Sequence, residues 1–256
     1  MARLDPHEEI AQAELEAWRD RLLKPPGPMD RAARNMQRTV NNLIPEQVHA
    51  AITKVIEGLT RTILTGSDLT TAKPLANASL GAREGLVKQR IAAYRTMAAA
   101  EGGVAGAGGF LLAAADFPVL IGFKIKLLFE IAALYGHDGE AWDERLYILS
   151  IFQLAFSSAD HRQAVYRTLE TWDEGAADRP ASPRDFDWRT FQQQYRDYID
   201  LAKLAQLIPV IGAPVGAFVN FRLLDQLGVA AMNAYRMRWF AERTSFDTPA
   251  GAGYSG

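Results

Sequence analysis

Five glycines fall between positions 102 and 109: Gly102, Gly103, Gly106, Gly108 and Gly109. They open an apolar stretch that runs to Tyr135-Gly136. Glycine disfavours a helix interior by about 1 kcal/mol relative to alanine. Such a cluster therefore needs a structural reason, either very close packing or a break in a helix. Gly102 and Gly106 are four apart. On a helix that spacing clears one face of side chains and lets a second backbone approach. The stretch then meets Asp116 and Pro118, and continues through Lys124, Lys126 and Glu130. Leu207 to Arg222 repeats the plan, with Pro209, then Gly212 and Gly216, then Asn220.

Nearly every other long segment has helical periodicity. Ile10, Leu15, Trp18 and Leu22 form a first stripe, closed by Pro25-Pro26-Gly27-Pro28 because proline removes a donor and disfavours helix before it. Helices are predicted over 29–43, 46–64, 83–100, 143–156, 161–172, 186–207 and 220–242. Connectors rich in Ser, Thr, Asn, Gly and Pro separate them at 66–81 and 174–183. No sustained period-two alternation and no Asn-Gly hairpin signal is present. The expected fold is all-α: a single helical bundle with two Gly/Pro-interrupted apolar helical hairpins. An N-terminal amphipathic helical appendage would occupy 1–42, the main helical domain 43–242, and a disordered Gly-rich tail 243–256.

Two readings of the hairpins stay open. In one they are buried in a core, with Asp116 capping a helix that starts at Phe117 and Pro118 in its first turn. In the other they contact a membrane as re-entrant or interfacial elements. Val104 to Ala115 is too short for a span, and no window offers about 18 apolar residues free of charge. Lys126 and Glu130 are spaced to pair on a helix surface. Lys124 lies on a different face from Lys126, so one of the two is expected at solvent or a headgroup.

Little chemistry is readable. A net charge of -2 gives no basic excess for nucleic acid. The absence of cysteine removes disulfides and thiolates and fits a reducing compartment. The N-terminus lacks the apolar core of a signal peptide. His7, His49, His137 and His161 are scattered, His137 reading as a turn residue, and neither a metal set nor a cofactor motif is present. Asp143-Glu144-Arg145 reads as a helix start, with acids complementing the dipole. No residue is assigned a catalytic role. The candidate functional polar residues are Asp116, Glu130, Asn220, Tyr235 and Arg236. The hairpin positions are Gly102, Gly106, Gly109, Pro118, Pro209, Gly212 and Gly216.

Several of these residues resemble the hallmark pattern of the EcsC family of bacterial proteins. Gly106, Gly108 and Gly109 lead to Asp116-x-Pro118, then an apolar helix ending in Tyr135-Gly136, then Glu144-Arg145 at a helix start. Ile208-Pro209, Gly212, Gly216, Asn220 and Tyr235-Arg236 are similar to the family's C-terminal signature. The resemblance runs from about Leu43 to Phe240. It departs at Gly139 to Trp142, where a proline is expected. It implies association with ABC transporters and no established biochemical activity. The expected function is a non-enzymatic, cytoplasmic protein acting peripherally at the inner membrane surface. It would be an accessory or regulator of an ABC transporter, or a lipid-binding module. The alternative is a soluble enzyme or small-molecule binder, with Asp116, Glu130, Asn220 and Tyr235 around an apolar pocket between the hairpins.

Overall fold

The computed structural model describes residues 3–24, 54, 57–58, 60–65, 73–107, 109–157, 159–187, 189 and 212–247, with backbone alone at 98–107, 109–121, 159–160, 212–220 and 244–247. Among the described residues the elements are helical and no strand occurs, as the sequence predicts. The predicted helix over 29–43 and Pro209 lie outside the described residues, as do most of 46–64 and of 186–207.

Helix α1 spans Pro6–Leu23. Asp5 accepts the amides of His7 and Glu8, and the Glu8 carboxylate returns to the Asp5 amide at 2.9 Å. This reciprocal arrangement satisfies donors that the first turn leaves open. The buried positions are Glu8 and Ala11, with Trp18 and Leu22 packed against the core. Ile10, expected in the stripe, is 59% exposed. The stripe instead passes through Glu8, so a carboxylate holds an apolar position.

Helices α2 (Leu80–Ala107) and α3 (Gly109–Tyr135) form the first hairpin. Gly102 and Gly106 lie inside α2, and one expectation is corrected: α3 runs straight through Asp116 and Pro118. Asp116 is therefore not the cap of a helix starting at Phe117, and Pro118 sits in a helix interior. The chain turns at the glycine cluster because consecutive glycines weaken helix most there.

A loop through Gly139 leads to α4 (Trp142–Phe156), which is apolar almost all round and correspondingly buried. Helix α5 (Ala159–Glu170) follows, and then a 3-10 turn at Ala176–Asp178. Helix α6 (Gly212–Asp247) begins eight residues before the predicted Asn220 start and takes in Gly216 and Asn220. Pro214 falls in its first turn, where a missing N–H removes nothing.

The bundle is organised around α6, which packs along α2 and also meets α1, α3 and α4. The register is antiparallel. Arg236 meets Glu84, and Arg95 meets Asp225. Tyr147 donates to the Ala234 carbonyl, and Gln226 to the Ala155 carbonyl. A Cβ on Gly228 would lie 2.6 Å from the tip of Ile91, so the α2–α6 contact is close at that glycine. This register brings the beginnings of α6 and α3 and the end of α2 to one end of the bundle. Residues 98–123 contain only Glu101 and Asp116 as charges, and 212–221 contain none. Among the described residues, the buried ion pairs of Glu84 with Arg236 and Glu144 with Arg238 lie toward the opposite end.

Candidate functional site

The opposite end is built from α1, α2, α6 and the turn between α3 and α4. Helix α3 stops at Gly136, whose φ of +96° is in the left-handed region that glycine adopts without strain. The Gly136 amide bonds the Ala133 carbonyl and the His137 amide bonds Ala132, the paired C-terminal contacts of a Schellman stop. Arg83 seals this corner. Its guanidinium donates to the carbonyls of Ala78, Leu75 and Leu134 at 2.7–3.0 Å, and a cation at a helix C-terminus complements the dipole. The stop delivers Tyr135 and His137 to the face of α6.

Glu84 is fully buried on the α2 stripe that also holds Leu80, Val87, Ile91 and Tyr94. Arg236 grips it bidentately, Nε to Oε1 at 2.6 Å and Nη2 to Oε2 at 2.8 Å. That planar fit gives a strong charge-assisted pair. Nη2 also donates to Glu14 at 2.8 Å. His7 lies 3.1 Å from Glu84, and the Tyr135 hydroxyl donates to it at 3.3 Å. Burial works to raise the Glu84 pKa, but Arg236 and His7 outweigh it and the net shift is downward. Arg236 shifts upward, because Glu84 and Glu14 outweigh its own burial.

A second knot adjoins the first. Tyr235 donates to Glu144 Oε1 at 2.5 Å, and Arg238 donates to Oε2 at 2.6 Å. Burial raises the Glu144 pKa despite Arg238 and Tyr235. The Tyr235 ring stacks between Tyr135 and His137, with centroids 5.1 and 5.2 Å away. His137 is 3.9 Å from Glu144, yet the contact is not an ion pair at neutral pH. Burial, with Arg238 and Arg83 nearby, depresses the His137 pKa to about 3. At the rim Glu8 accepts from Trp239 at 3.0 Å and from Arg243. Arg145 ties the loop, donating to the Gly139 and Leu64 carbonyls.

The candidates from the sequence divide. Tyr235 and Arg236 stand at the centre of this cluster. Glu130 lies elsewhere, accepting from Tyr94 at 2.8 Å with Arg90 3.6 Å away. It pairs with these rather than with Lys126. Asp116 and Asn220 sit within α3 and α6, and their side chains lie outside the described ones. Gly102, Gly106, Gly109, Pro118, Gly212 and Gly216 belong to the charge-poor end. Lys126 is partly exposed. Lys124 is 2% exposed, and burial lowers its pKa to about 8.

Sequence reasoning missed Glu84, Arg83 and Arg238, and read Glu144 and His137 as local helix-start and turn residues. A signal was present, because Glu84 occupies a position of an otherwise apolar 3–4 repeat. Chemically the cluster is saturated. Each buried carboxylate already accepts from an arginine and a tyrosine or tryptophan. The geometry is that of a clamp.

The comparisons follow the same residues. The model of the EcsC protein family matches residues 9–240, and so begins within α1 rather than at Leu43. The chain is 38% identical over 235 residues to Protein EcsC of Bacillus subtilis (strain 168), covering 91% of this chain and 97% of that one. It is 31% identical over 160 residues to the Uncharacterized protein YdbA of the same organism, covering 62% and 57%. No solved structure matches.

Proposed function

This chain belongs to the EcsC protein family, and from that premise we propose that it is a non-enzymatic protein of the cytoplasmic membrane surface, accessory to an ABC transporter. Its charge-poor end would enter one leaflet, and its charged end would remain in water. The observation that carries this reading is the register of α2, α3 and α6. It collects 98–107, 109–123 and 212–221 at one end with only Glu101 and Asp116 as charges. Ten to fifteen helical residues extend about 15–20 Å, comparable to one leaflet of a hydrocarbon core about 30 Å thick. Helical backbone bonds its own polar groups, the requirement for entering lipid. Among the described residues no helix is long and apolar enough to cross a membrane, which fits dipping rather than spanning. The saturated carboxylates of the charged end support the non-enzymatic part.

Flotation with phosphatidylglycerol vesicles tests the proposal. The protein is expected to float with vesicles, and Leu112→Glu or Phe117→Glu to release it while its melting temperature holds. Protein that stays at the bottom of the gradient at every lipid concentration would overturn the reading.

A further inference from the structure

Two hollows lie side by side along the seam between α1 and α6, sharing Trp18, Arg21 and Val229. The larger, about 390 Å³, is the polar half, with Lys88, Arg236, Asn233 and Glu14 in its walls. The smaller, about 300 Å³, adds the apolar surfaces of Leu22, Leu154, Ala155 and Ala230. Each is on the scale of a small-ligand site. Neither lies between the glycine-rich hairpins.

The charge around them leans positive. Arg21 and Lys88 stand in the walls beside Arg236, which is already paired with Glu84, and the acid lining the hollows is Glu14, whose Oε2 Arg236 holds at 2.8 Å. Arg236 is 4% exposed at its side chain. Its Nε and Nη2 serve Glu84 and Glu14, while Nη1 reaches Asn233 Oδ1 at 3.4 Å, a long contact for a guanidinium donor. In the smaller hollow the polar side chains are engaged, Gln226 on the Ala155 carbonyl and Arg162 on the Ser157 carbonyl. Beside Arg21, what that half presents is largely hydrocarbon. Val229, 42% exposed, sits where the two hollows join. Trp18 forms a wall between them, held against Tyr166 at a centroid distance of 5.9 Å.

We propose that this seam binds a single-chain anionic amphiphile. A carboxylate or phosphate head would sit beside Lys88, Arg21 and the Nη1 edge of Arg236. The alkyl chain would cross Val229 and lie along Leu22, Leu154 and Ala155. Charge complementarity selects the head, and the apolar half selects a chain over a free inorganic anion. The site stands on α1, α2, α4 and α6 and does not depend on the membrane-entering end.

Calorimetric titration of the full chain with decanoate and with decyl phosphate, below their micelle concentrations, tests this. Decyltrimethylammonium serves as the charge control. Saturable binding of either anion supports the site, and the tighter head identifies its source as a free fatty acid or a phosphate-headed lipid. Arg21→Glu with Lys88→Glu should weaken binding at least tenfold, and Val229→Trp should block the junction. These side chains are exposed, so the variants keep the fold. Equal binding of the cation, or affinity unchanged in both variants, would overturn the proposal. So would the absence of saturable binding, or a concentration-dependent dimer that Val229→Trp abolishes, which would assign the seam to a second copy of the chain.

Discussion

Tyr235 and Arg236 are neighbours on α6 that hold two different helices: the Tyr235 hydroxyl bonds Glu144 of α4 and the Arg236 guanidinium bonds Glu84 of α2. Adjacent helical residues point about 100° apart, so one dipeptide fixes α6 against two neighbours at once. The Tyr135 ring stacks on Tyr235 while its hydroxyl bonds Glu84, which joins the two contacts into one.

Arg236→Met should destabilise the protein by about 3–5 kcal/mol, because Glu84 would remain buried without its guanidinium. Replacing both partners, Arg236→Met with Glu84→Leu, should recover most of the loss, since the uncompensated charge is gone. Urea unfolding of the four species measures the cycle. A double variant no more stable than either single one would contradict the account of Glu84 as a charge held only by its partners.

His137 makes stability pH-dependent. Its folded pKa of about 3 lies below its ordinary value of 6.5. The unfolded chain therefore takes up a proton that the folded chain refuses, and stability falls as pH drops from about 6.5 towards 3. The slope is at most about 1.4 kcal/mol per pH unit for one proton. Glu84, shifted down, adds a loss of the same sign in the carboxylate range, whereas Glu144, shifted up, opposes it. Between pH 6.5 and 5 His161, also lowered by burial, adds a loss of the same sign as His137. Thermal melts of His137→Phe should be flatter than wild type in that interval.

Lys124→Met should stabilise. The ammonium is buried and burial alone lowers its pKa to about 8 from 10.5. Below pH 8 the folded state holds the full penalty of a buried charge, on the order of 3 kcal/mol. The penalty shrinks as pH rises from 8 to 10.5 and is gone once both states are neutral, about a unit above 10.5. The advantage of methionine should thus be large at pH 7 and small by pH 10.5. Denaturant melts at the two pH values check the difference.

Gly228→Ala should cost about 1–3 kcal/mol through overpacking, since its Cβ would fall 2.6–3.1 Å from three carbons of Ile91. Ile91→Ala in the same chain should relieve it. If the two changes add, the close approach of α2 and α6 at this point is not what the glycine serves.

The all-α class, the helices predicted over 83–100 and 143–156 and the stop at Tyr135-Gly136 were legible because they follow local rules of periodicity and capping. The place of the first turn was not. Asp116-x-Pro118 looks like a cap and first turn, but the glycines eight residues earlier give way first. The stripe of α1 was misread by assigning Ile10 inward, because the pattern excludes a charged Glu8 from a core. The same exclusion hid Glu84. Its partner, Arg236, is 152 residues away, and periodicity carries no information across that distance. Tyr235 and Arg236 were found through the family resemblance, and the fold then supplied the residues they hold.

Helix α6 is 36 residues long, a rod of about 54 Å with its only proline in the first turn. Such a rod transmits tilt. A rotation of about 5° at the charge-poor end displaces the far end by about 5 Å over that length, more than the reach of any hydrogen bond in the clamp. The clamp at Glu84 and Glu144 therefore sets how freely this lever can swing, and loosening it changes the mechanics of the bundle without touching the charge-poor end.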